Sequence, residues 1–95
     1  MGFKEIISRA AQIHIDEAFY YYELQQPGLG SRFFIEFKNA TKYILLDPYL
    51  FRLKSNNLRE LKLSVFPYII IYEIIEETVL IAAVFHTSQN PRKKP

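Results

Sequence analysis

The sequence predicts an α+β domain in the order β-α-α-β-β-β, with a helical hairpin lying across one face of a small antiparallel sheet. Three observations predict it. Apolar residues in the first half recur at helical spacing, whereas the second half switches to a period of two and to solid β-branched runs. Pro27-Gly28, Asp47-Pro48 and Pro67 stand where one predicted element gives way to the next.

Residues 3–8, FKEIIS, read as a short first strand. Ser8 then suits a helix N-cap, and Ala11, Ile15, Ala18 and Tyr22 follow at spacings of four, three and four. This helix is expected to run to about Gln26 and to stop at Pro27-Gly28. Ser31 is the expected cap of a second helix, with Phe33, Phe37, Ala40 and Ile44 on one face and Asp47-Pro48 as its end. Two helices joined by so short a turn pack side by side. A polar loop is expected near residues 54–57. Beyond it Leu61, Leu63 and Val65 alternate with Glu60, Lys62 and Ser64, which describes a strand with one wet face. Pro67 belongs at the start of the next strand, where a missing N–H costs no ladder bond. That strand, YIIIYEII (68–75), is apolar on both faces and should be central. Glu76-Glu77 can turn the chain into TVLIAAVFH (78–86).

A chain of 95 residues makes one domain, expected over 1–91 with a basic tail at 92–95. Its 15 aromatic residues exceed what a core of this size encloses, so some should face a groove or a partner. Cysteine is absent, which rules out disulfides and thiolate zinc sites and fits a reducing compartment. The first 20 residues carry Lys4, Glu5, Arg9, Asp16 and Glu17, unlike a signal peptide, and no apolar run approaches membrane-spanning length. A cytoplasmic protein without membrane attachment is expected. The net charge of +2 is uneven: residues 1–51 hold five basic and six acidic side chains, and residues 52–95 hold seven and four. Arg92-Lys93-Lys94 supplies three of those positives, either as a solvated end or as a contact to an acidic partner.

No catalytic motif stands out. His14 and His86 have no chelating neighbour at ligand spacing, so no metal or other cofactor is expected. PGLGS (27–31) lacks the lysine and the strand-loop-helix setting of a phosphate loop and reads as a turn. His14 reads as a partly exposed helical residue. His86 ends the last strand, where it either bonds the following loop or projects into a site. Arg59, Lys62, Tyr68, Tyr72, His86 and Arg92 lie on or just beyond the predicted sheet, a mixture that suits phosphate and base contacts or a protein interface.

The segments DEAFYYYE (16–23), PGLGSRF (27–33), Asp47-Pro48, LRELKLSVFPYIIIYEI (58–74) and AAVFHTSQNP (82–91) together resemble the RelE/ParE superfamily of bacterial type II toxins, closest to its ParE-like branch. The resemblance covers nearly the whole chain in order, and implies the same fold that periodicity predicts. It implies a growth-inhibiting toxin in a hetero-oligomer with a cognate antitoxin, whose extended or helical segment would meet Tyr21, Phe34, Tyr68 and Tyr72. ParE-like members poison DNA gyrase by binding; here Arg59, Lys62, His86, Asn90, Arg92 and Lys93 would face that target. RelE-like members instead cut messenger RNA on the ribosome with cationic side chains. In this chain Ile69 and Gln89 fall where two arginines are expected, Glu60 stands opposite an expected lysine, and Lys62 alone survives. A ribonuclease built on Lys62, Arg59 and His86 is the enzymatic alternative, and a family member that binds its antitoxin without toxicity is the third.

Overall fold

A computed structural model describes residues 2–89. The chain runs β1 (Lys4–Ile7), α1 (Arg9–Gln25), α2 (Leu29–Leu46), β2 (Arg52–Ser55), β3 (Leu58–Lys62), β4 (Tyr68–Ile75) and β5 (Thr78–His86), closed by a 3-10 turn at Thr87–Gln89. The strands form one sheet in the order β1-β5-β4-β3-β2. Antiparallel hairpins join β2 to β5, while β1 pairs with β5 in parallel. The predicted fold class stands, with one strand more than predicted and one parallel edge. Asn90, expected to face a target, and the expected tail at 92–95 lie outside the described residues.

Ser8 organises the first junction. Its Oγ accepts from the Ala11 amide, capping α1, and donates to the Ala82 carbonyl of β5. The predicted stripe of Ala11, Ile15 and Ala18 is buried, as are Phe33, Phe37, Ala40 and Ile44 of α2. These meet Tyr68, Ile70, Tyr72, Val79, Ile81 and Val84 from one face of the sheet. Each large side chain enclosed here contributes roughly 1.5–3 kcal/mol relative to exposure.

The cap of α2 differs from expectation. The helix begins at Leu29 with Gly28 in the left-handed region (φ 92), and Gly28 has no side chain to cap with. Glu23 of α1 supplies the acceptor, its two carboxylate oxygens taking the N–H groups of Gly28 and Gly30 at 2.9 and 3.0 Å. A carboxylate is favoured at this positive helix end. Gly30 is needed for close approach: a Cβ there would sit 2.6 Å from the Phe19 carbonyl oxygen.

The expected polar loop at 54–57 contains the last two residues of β2. Arg52-Leu53-Lys54-Ser55 has no apolar period because it is an edge strand, and Arg52 and Lys54 both reach Glu60 on β3, at 3.7 and 3.6 Å. The turn uses Asn56 at φ 47. Strand β3 ends at Lys62, short of the predicted alternation, so Val65 is 71% exposed while Leu63 is buried.

The reason is the loop that precedes Pro67. Glu36 of α2 accepts from three successive backbone amides, Ser64 (2.6 Å), Val65 (2.9 Å) and Phe66 (3.3 Å). Pro67 then sits within a tight turn in which the Tyr68 amide donates to the Phe66 carbonyl at 2.8 Å. Its own carbonyl accepts from Thr87. Pro67 thus stands immediately before β4, anchored on both sides.

Candidate functional site

Strand β1 covers β5 only as far as Ile81, so the edge from Ala82 to His86 is exposed to whatever α1 places beside it. Two side chains take up part of that edge: Ser8 at the Ala82 carbonyl, and His14, whose Nδ1 accepts from the Val84 amide at 3.1 Å. Past them opens a cleft of about 480 Å³, lined by His14, Glu17 and Tyr21 from α1 and by Tyr68, Phe85, His86 and Ser88 from the sheet end. His14, Glu17 and Tyr21 are spaced three and four apart, which puts them on one side of the helix, next to the buried stripe.

The His14 ring lies 5.1 Å from Phe85, and the His86 ring stands edge-on to Tyr68 at 5.1 Å. His86 Nδ1 accepts from the Ser88 amide at 3.1 Å. An Nδ1 that accepts an amide N–H is unprotonated, so each ring in this arrangement is neutral and carries its proton on Nε2. Burial pushes the Tyr68 hydroxyl up to about 12, and Tyr22, Tyr21 and Glu17 add to the rise by disfavouring a further negative charge. Tyr22 is raised as well, by burial first and then by Tyr21.

Four residues along the same strand, Tyr72 has a different setting. It is completely enclosed, and its hydroxyl donates to the Pro48 carbonyl at 2.7 Å. Burial raises it to about 12, although Arg59 pulls the other way. The Arg59 guanidinium donates to the carbonyls of Tyr49 (3.1 Å) and Phe51 (2.8 Å) and lies 5.4 Å from the centre of the Tyr49 ring. Tyr72 has no surface in the free chain, because strand alternation aims it into the core. The Arg59 bonds tie β3 to the α2–β2 connection.

The remaining expected residues are dispersed. Lys62 lies on the rim of a second groove of about 290 Å³, between α2 and β3, with Glu36, Tyr43 and Phe51. Its register partner is Ile69, on the face turned away from the helices. His86 is on the helix side at the same end of the sheet, opposite Tyr68. Tyr21 is 55% exposed at the mouth of the cleft, Phe34 is 43% exposed on α2, and Tyr68 is buried in the cleft wall. Among the described residues, five aromatic side chains are well exposed: Tyr20, Tyr21, Phe34, Tyr43 and Tyr49.

The sequence reading missed Glu17 and the role of His14. Their spacing with Tyr21 was the available signal, but only the position of β5 shows that this side of the helix borders a cleft. Among the described residues no three His, Cys, Asp or Glu side chains gather to hold a metal ion, and no helix is long and apolar enough to cross a membrane.

The profile described as ParE toxin of type II toxin-antitoxin system, parDE, matches residues 6–91. Among solved structures, the chain is similar to one from the chromosomal ParDE TA system of P. aeruginosa. The TM-score is 0.79 at 12% identity, over 88% of this chain and 95% of that one, a likeness in fold. No curated protein matches in sequence.

Proposed function

The chain belongs to the ParE toxin family of type II toxin-antitoxin systems, and from that premise we propose a toxin that is neutralised by a cognate antitoxin and acts by binding DNA gyrase. The observation that carries the antitoxin part is the exposed aromatic surface. Tyr20 and Tyr21 on α1, with Phe34 and Tyr43 on α2, leave 43–67% of their area in water. A monomer gains nothing from such exposure, and a partner segment laid on the helices would cover it. Such a pair would fold and act together in the cytoplasm.

Two features favour a binding poison over a nuclease. Ile69 and Ile71 occupy the outer face of β4, and Glu60 beside them is already paired with Arg52 and Lys54. Arg59 is likewise engaged with backbone carbonyls. An RNA-cleaving site needs unengaged cations to stabilise the charge that develops on phosphate. Target contact is assigned to Lys62 and His86 at one end of the sheet, together with Asn90, Arg92 and Lys93. In this proposal residues 1–91 are the toxin domain and 92–95 contribute basic charge to target binding.

The test is induction of the chain alone in a bacterial host with pulse-labelling of DNA and protein synthesis, followed by a supercoiling and cleavage assay on purified gyrase. Early loss of DNA synthesis and accumulation of cleaved DNA are the expected results. Early loss of protein synthesis with gyrase unaffected would replace this proposal with the ribosome-dependent ribonuclease. Undisturbed growth would mean that the chain binds an antitoxin without toxicity.

A further inference from the structure

We infer that the cleft between α1 and the end of β5 receives a basic side chain, an arginine or a lysine, presented by the antitoxin segment. The inference rests on the antitoxin reading above and assigns it a specific anchor.

Charge is the first argument. Among the described residues that line the cleft, Glu17 is the only one with a formal charge. Both histidines are neutral while Nδ1 of each accepts a backbone amide. A phosphate or carboxylate placed here would face Glu17 with no cation among the described lining residues to offset it. The raised Tyr68 hydroxyl reports the same preference, since burial and the surrounding oxygens disfavour negative charge in this place.

The walls are the second argument. Tyr21, Tyr68 and Phe85 surround the cleft with aromatic rings, and a guanidinium or ammonium group is attracted to such faces. About 480 Å³ is more than one side chain needs, which leaves room for the peptide backbone that carries it. The Nε2–H groups of His14 and His86 are donors of the kind that backbone carbonyls accept.

Continuity with the exposed apolar side of α1 points to a partner rather than to the chain's own tail. Ile13, Tyr20 and Leu24 are 48%, 67% and 85% exposed. They span eleven helical steps, roughly 16 Å. A segment that seats a basic residue beside Glu17 and continues along α1 covers them.

The experiment titrates the full chain with N-acetyl-arginine amide and, separately, with its uncharged citrulline analogue, following backbone amide resonances. Saturable shifts at Tyr21, Val84, His86 and Ser88 are expected from the arginine compound, with the citrulline compound weaker by about fivefold or more. Glu17→Gln, at an exposed position that leaves the fold intact, should erase the difference. Equal response to both compounds, or none, overturns the inference. So does a cleft that admits the probe only after residues 92–95 are removed, because the occupant is then the tail. Antitoxin binding separates this inference from the reading beneath it. If wild type and Glu17→Gln bind the antitoxin equally, the anchor is wrong and the antitoxin reading survives. If wild type does not bind it at all, the antitoxin reading fails, and the anchor assigned to that partner fails with it.

Discussion

The two ends of β4 carry the same residue type on the same face, and the molecule uses them differently. At one end Tyr72 is sealed: its hydroxyl is bonded to Pro48, and Arg59 nearby closes over the carbonyls of Tyr49 and Phe51. At the other end Tyr68 forms the wall of an open cleft beside His86, Tyr21 and Glu17. At the closed end the Tyr72 hydroxyl and the Arg59 guanidinium both donate to fixed backbone carbonyls, contacts that serve the fold. The open end keeps hydrogen-bonding groups turned toward space that a ligand can enter. A tyrosine on a buried strand is thus no guide to function until its hydroxyl's partner is known.

Alkaline titration should affect both ends and produce the largest change. A tyrosine is neutral when protonated, and Tyr68 and Tyr72 are both held above the ordinary value of 10.0, at about 12. Their contribution is complete below about pH 10 and is lost as pH rises through about 12, on the order of 2–3 kcal/mol for each group. Denaturant midpoints measured across that window should fall, in step with phenolate absorbance. A flat profile would mean that neither hydroxyl is protected.

Arg59→Ala should cost about 2 kcal/mol, because two carbonyls lose a charged donor and Tyr49 loses its cation. His86→Ala, at the open end, should cost less than about 1 kcal/mol. Urea unfolding of the two variants gives the comparison directly, and equal losses would remove the distinction between the ends.

Tyr72→Phe leaves the Pro48 carbonyl without its donor inside the core and should lower stability by about 1–2 kcal/mol. Tyr68→Phe should change it by less than about 1 kcal/mol, since its hydroxyl lies beside the cleft. Thermal unfolding of both variants would show whether the order holds.

A comparably small effect is expected at Glu36, which secures the loop leading into Tyr68. Glu36→Gln keeps one oxygen for three amides and should cost about 1 kcal/mol. Amide hydrogen exchange at Ser64, Val65 and Phe66 should accelerate while exchange at Arg59 stays unchanged. Faster exchange at both places would show the two ends to be one cooperative unit.

Much of the fold was legible in residue order. Ser8 as a cap, both buried helical stripes and the strands at 68–75 and 78–86 follow from spacing and β-branched content, because neighbours along the chain determine them. The segments LRELKLSVFPYIIIYEI (58–74) and AAVFHTSQNP (82–91) likewise pointed to the family. Other features needed contacts between distant residues. Glu23 replaced Ser31 at the start of α2, and Glu36 ended β3 before Val65, because a carboxylate from another turn or element reached the unbonded amides first. β2 stayed hidden because an edge strand needs no apolar face.

The candidate site divides along the same line. Composition and order determined that this is a small α+β domain with more aromatic surface than its core encloses. Only the tertiary structure decided that Tyr72 belongs to the interior, that Arg59 bonds the carbonyls of Tyr49 and Phe51, and that His14, Glu17, Tyr21 and His86 meet around one cleft. The reason is physical: periodicity tells which side of an element is apolar, but whether a polar side chain finds a partner depends on groups up to 74 positions away in the chain, as for Ser8 and Ala82.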